Sequence, residues 1–214
     1  MAETSDYFSV SEKRKVKLLS QSTIFAKLLL GYVALYVLSF ALGGLVFYLL
    51  DAKNSLVLNA RIISYFNTEF LVTDSIFDKI NLLVDISGTD ITYLILLFIA
   101  GFTMLTGVIV SLSLVFRGFC FGFSVSYFIF AIKCNYLLLP NNNLSFIVFS
   151  FVGALSTSIM IYFSVKTTCF SYDFRALDGI TRKIIKSKAL YAQLYRFLIA
   201  FGALLILNLI RCIV

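Results

Sequence analysis

Hydrophobic positions in this chain fall in long blocks separated by short polar stretches. Residues 28–50, 91–116, 118–132 and 144–165 carry no charge at all, and 194–214 carries only Arg196 and Arg211. About 20 apolar residues suffice to cross a bilayer once as a helix. The blocks 28–50, 144–165 and 194–214 therefore each predict one crossing. The block 91–139 is about twice that length and predicts two, interrupted at Arg117-Gly118. A guanidinium at mid-bilayer costs roughly 2.5 to 3.5 kcal/mol on insertion scales and little at the surface, so the turn is expected at Arg117. The pattern predicts an all-α polytopic membrane bundle of five transmembrane helices. Ala41-Leu42-Gly43 resembles a signal cleavage site, but the apolar run continues past it through Leu50, longer than the ~7–15 residues of a signal core.

The polar stretches set the expected orientation. Residues 1–27 carry Lys13, Arg14, Lys15, Lys17 and Lys27, which predicts a basic cytoplasmic tail. Residues 51–90 are rich in acid and are expected outside. Within them Leu58, Ile62, Ile63, Phe66 and Phe70, and again Ile76, Phe77, Ile80 and Leu83, recur at helical spacing. They predict two short amphipathic helices at the outer interface, packed on the bundle or docking a partner. Pro140-Asn141-Asn142-Asn143 reads as an outer turn, with Tyr93 and Tyr136 at the outer interfacial level. The basic segment 166–193 is expected inside, with an amphipathic helix through Ile180, Ile184, Ile185, Leu190 and Leu194 leading into the last span. The C-terminus then ends outside.

Composition agrees with the pattern and narrows the chemistry. Of 214 residues 60% are hydrophobic and 14% charged, and mean hydropathy is +0.96, against about 45 to 50% apolar and about 25% charged in soluble domains. Histidine is absent, which removes the commonest general base and zinc ligand. In this layout all eleven Asp and Glu residues lie in aqueous segments, so no span offers a carboxylate for proton exchange. No P-loop and no His-Glu-x-x-His occurs. Cys120, Cys134, Cys169 and Cys212 are far apart without a C-x-x-C, and neither a metal nor a cofactor is expected. Cys134 and Cys212 share the outer side, where a disulfide and simple apolar packing are both open. The chain reads as a non-enzyme whose partners are membrane lipids and other membrane or extracytoplasmic proteins, not nucleic acid.

Small residues mark candidate contact faces. Gly118 and Gly122 form a small-xxx-small pair extended by Ser126, and Ser39 with Gly43 forms another. Such faces let helix backbones approach where lipid supplies no hydrophobic drive, inside one bundle or between copies in a homo-oligomer. Ser150, Gly153, Ala154 and Thr157 give the fourth span a similar face. Arg117 is read as a topology-setting cation, or as a planar fork for a lipid phosphate or an acidic partner residue.

At these residues the chain resembles a known family. Gly101 followed by Phe116-Arg117-Gly118-Phe119-Cys120-Phe121-Gly122-Phe123 is similar to the signature hairpin of the stage II sporulation protein M family. The order of basic tail, span, outer loop, hairpin, span, basic loop and span resembles that family over nearly the whole chain. The family's usual Gly-x-Pro in the second span is here Gly107-Val108-Ile109. The resemblance implies a non-enzymatic scaffold that holds peptidoglycan hydrolases, the D and P proteins of the same stage, at septal and engulfing membranes. The alternative reading is the membrane subunit of a transporter driven by a separate ATPase, with 176–190 as the docking helix.

Overall fold

The computed structural model describes residues 3–50, 76–133, 142–176 and 182–213. Among the described residues the chain is all helix: α1 Glu3–Leu49, α2 Ile76–Ala100, α3 Thr106–Lys133, α4 Asn142–Ala176 and α5 Arg182–Ile213. Four of them contain stretches long and apolar enough to cross a membrane, namely Thr23–Leu49, Thr106–Phe130, Ile147–Phe174 and Ser187–Ile210. The apolar part of α2, Ser87–Ala100, is shorter. The stripe from Leu58 to Phe70, the corner at Pro140, Tyr136 and Cys134 lie outside the described residues.

Burial is inverted relative to a soluble bundle. Leu30, Leu112, Phe151 and Ile206 are 64–74% exposed on the outside of the bundle, while Ser164, Thr167 and Gln193 are fully buried. Hydrocarbon solvates the apolar exterior, and polar side chains must find one another inside. Helix α4 is the axis of this arrangement and packs against each of the other four. The contacts fix directions. Gly118 meets Tyr36 and Gly122 meets Phe40, so α1 and α3 run parallel. Thr106 pairs with Ser171 and Arg117 with Ser156, so α3 and α4 run antiparallel. Asn208 reaches Asp90 and Phe197 packs on Phe98, so α2 and α5 are antiparallel as well. Helices α1, α3 and α5 thus point one way, and α2 and α4 the other.

The hairpin turns at a different place from the one the charge pattern predicts. Residues 101–105 separate α2 from α3, and Arg117 stands inside one uninterrupted helix, eleven residues beyond Thr106 and sixteen before Lys133. No proline breaks the chain at this turn. Instead the end of α2 tightens, with Gly101 N donating to Leu97 and Phe98 carbonyls and Phe102 N and Thr103 N donating three residues back. Hydroxyls satisfy what remains: Thr103 Oγ1 donates to Ala100 O at 2.9 Å, and Thr106 Oγ1 lies 2.7 Å from both the Ala100 and the Thr103 carbonyl. Ser171 Oγ of α4 completes the group, 2.8 Å from Thr106 Oγ1. Gly101 allows this corner to lie on α4, because a Cβ there would stand 3.0 Å from Thr167 Cγ2 and 3.4 Å from Phe170 Cδ1.

Two other expectations change with the turn. Ile76, Phe77, Ile80 and Leu83 form the first turns of α2 and continue into its apolar run, not a separate interfacial helix. The basic segment is also divided differently. Lys166 belongs to α4, and Arg182 already starts the helix that runs unbroken to Ile213.

Candidate functional site

Helix α3 presents two faces that do different things. On the first, Gly118, Gly122 and Ser126 lie four residues apart, one above the other. A Cβ on Gly118 would be 2.9 Å from Tyr36 O and 3.0 Å from Ser39 Cβ. A Cβ on Gly122 would collide with the backbone carbonyl of Phe40, and one on Gly43 with that of Phe119. Gly44 continues the seam against Ser126, whose Oγ would lie 2.9 Å from an added Cβ. The small faces of α1 and α3 therefore fill one another within the same chain. At the end of the seam Phe47 packs edge-on against Phe123, Tyr127 and Phe130 at ring separations of 5.4–5.9 Å.

The second face carries Arg117. Its Nη1 lies 2.6 Å from Asp90 Oδ1 of α2, and the two side chains are only 15% and 10% exposed. Arg117 Nη2 donates to Ser156 Oγ at 2.7 Å, and Ser156 Oγ donates to Asp90 Oδ2 at 3.1 Å. Asn208 Nδ2 of α5 donates to the same Oδ2 at 3.2 Å. The guanidinium also lies 5.5 Å from the ring centre of Tyr93, within cation–π range. At the next residue of α4, Thr157 shares a hydrogen bond with Tyr36 of α1 at 3.1 Å. Among the described residues, only Nε of Arg117 lacks an acceptor in this group. All five helices thus meet at one polar level.

That level is deep. Arg117 lies about 16 Å along α3 from Thr106 and about 20 Å from Phe130, at 1.5 Å per residue, near the middle of a span sized for a hydrocarbon core of about 30 Å. A lone guanidinium is costly there, and the structure resolves the cost by pairing it with a carboxylate and filling the remaining acceptor sites from two further helices. A cavity of about 300 Å³ opens beside the pair, lined by Asp90, Tyr93, Arg117, Cys120, Ser124 and Asn208 among others. Phe121 closes one wall, its ring pressed against Gly153 and tilted against Phe149 with ring centres 6.0 Å apart.

Of the residues singled out from sequence, Gly118, Gly122 and Ser126 meet on the α1 seam, Arg117 lies on the opposite side of the same helix, and Gly101 sits apart at the turn. The expectation that every acid lies in an aqueous segment fails at Asp90, which is 7% exposed inside the bundle. Tyr93 stands at the ion pair and not at an outer interface. Asp90, Ser156 and Asn208 escaped the sequence reading. A signal for Asp90 existed: it and Arg117 bracket an uncharged run, thirteen and fourteen residues on either side of Thr103. A hairpin turning at Thr103 places such residues side by side. Among the described residues no group of His, Cys, Asp and Glu is arranged to hold a metal. Comparison with family models, curated proteins and solved structures returned no match. The class defined by the fold is an all-helical membrane protein.

Proposed function

We propose that this chain is a non-enzymatic membrane scaffold with five crossings, its N-terminus in the cytoplasm and residues 51–75 on the outer side. The observation that carries the reading is the closed network at Asp90. Its carboxylate receives Arg117, Ser156 and Asn208 from three different helices, so the charged groups at the centre of the bundle are engaged in holding helices together. A platform for other proteins requires such a fixed bundle. The alternation of helix directions supports the crossing pattern, since it puts the start of α2 and the ends of α1 and α3 at one end. The Gly101, Arg117, Gly118 and Gly122 pattern resembles the stage II sporulation protein M family, which supports peptidoglycan hydrolases as the recruited partners.

The surface for recruitment is the outer part of α2, where Ile80 and Val84 are 50% and 61% exposed. Replacing both with Asp removes that apolar surface without touching the polar centre. Hydrolases crosslinked to the tagged wild-type chain in membranes are expected to be lost with the I80D/V84D variant, while the chain still inserts. Undiminished recovery contradicts the scaffold reading. Orientation has its own check. A thiol at the 86% exposed Met104, in a chain whose native cysteines are replaced, is expected to react with an impermeant reagent only from the cytoplasmic side.

The cavity beside Asp90 and Arg117 favours one second reading, a transport subunit worked by a separate ATPase. Polar groups at mid-membrane commonly mark a pathway. If transport is the function, D90N/R117Q abolishes flux in reconstituted vesicles while partner recovery is unaffected.

A further inference from the structure

A second polar group lies away from the central network, in a groove of about 890 Å³ between α1, α4 and α5. Its walls include Ile24, Phe25, Leu28 and Phe170, and its charged residues are Lys166, Arg196 and Asp173. Lys166 Nζ is held 4.5 Å from the ring centre of Phe25 and 5.5 Å from that of Tyr162. Aromatic faces steady a cation without neutralising it. Among the described residues the only ion pair is Arg117–Asp90, so neither Lys166 nor Arg196 is matched by a carboxylate among them. Cys169, between them in the groove, lies within electrostatic range of Lys166, Arg196 and Asp173.

Depth selects the ligand. Lys166 is ten residues along α4 from Ser156, and Arg196 is twelve along α5 from Asn208. Both are therefore about 15 to 18 Å from the central ion pair, the level at which half of a ~30 Å hydrocarbon core ends and phosphates begin. We propose that this groove binds one anionic phospholipid, its phosphate between Lys166 and Arg196 and an acyl chain along Ile24, Phe25 and Leu28. Two cations and one carboxylate leave a single positive charge, which matches one phosphodiester. Asp173, about 10 Å beyond Lys166 along α4, receives hydroxyl hydrogen bonds from the outer part of a glycerol headgroup. The groove is far larger than the ~30 Å³ that a water takes up, and its apolar walls suit a lipid chain better than a free anion.

The full-length protein, carried in nanodiscs of equal phosphatidylglycerol and phosphatidylcholine and released for native mass spectrometry, is expected to retain one phosphatidylglycerol in preference. K166Q and R196Q each lower that retention roughly fivefold, the effect of one basic residue at a membrane surface. K188Q, on the same helix as Arg196 but outside the groove, leaves it unchanged. Equal retention of the two lipids by the wild-type protein overturns the proposal whatever the variants do. So does an equal loss with K188Q, which means diffuse attraction to a basic surface. Displacement of the lipid by millimolar inorganic phosphate overturns the lipid in favour of a free anion.

Discussion

On one side of α3, Gly118 and Gly122 bring backbone against the backbone of α1; on the other, one residue away, Arg117 reaches a carboxylate on α2 and a hydroxyl on α4, and that carboxylate also receives an amide from α5. The first contact is made by the absence of side chains and the second by the longest polar side chain available. In lipid neither contact draws on the hydrophobic effect, because hydrocarbon surrounds the separated helices as well as the packed ones. The glycine seam relies on many weak van der Waals contacts that fall away gradually as the backbones part. The polar centre relies on a few groups that are strongly unfavourable when left alone. The two sides should therefore fail differently.

The largest effect is expected from breaking the polar side unevenly. Asp90→Leu leaves Arg117 buried without its counter-charge and is expected to lower stability by about 3–5 kcal/mol, measured as denaturant-induced loss of helix in detergent micelles. On the glycine side, Gly122→Leu drives a side chain into the Phe40 backbone and is expected to cost about 1–3 kcal/mol. Gly107→Leu sharpens this comparison, since no atom lies within 4 Å of a Cβ there, and it should be nearly neutral.

These two sides were not equally legible in the sequence. The uncharged block 28–50 ends one residue beyond α1, and the spacing of Gly118, Gly122 and Ser126 identified a face by period alone. What that face packs against was hidden, because a small-residue pattern is the same toward a neighbouring span or another copy. The polar side is harder to read for a physical reason. As an isolated charge Arg117 belongs at the membrane surface, the cheaper place, whereas the fold places it together with Asp90. The true turn at 101–105 announces itself weakly, since its breaking signals are a glycine and threonine hydroxyls, not a proline or a charge.

Smaller effects test whether the hydrogen bonds around the pair matter individually. Ser156→Ala removes the hydroxyl that touches both Arg117 and Asp90 and is expected to cost about 1–2 kcal/mol. Tyr36→Phe deletes one bond to Thr157 and is expected to cost about 0.6 kcal/mol, the average for interhelical hydrogen bonds in a membrane. Both are read in the same denaturation assay. A Tyr36→Phe loss as large as that of Asp90→Leu would mean that the hydroxyl network, and not the ion pair, holds the centre together.

The central claim is that Asp90 and Arg117 are one buried unit. It is tested most directly by the stability of Asp90→Leu, Arg117→Leu and the double variant in a double-mutant cycle. The account predicts that the double variant is more stable than either single one, with a coupling of at least about 2 kcal/mol, because removing both charges leaves neither stranded. Additive losses, with the double variant the least stable of the three, would contradict it.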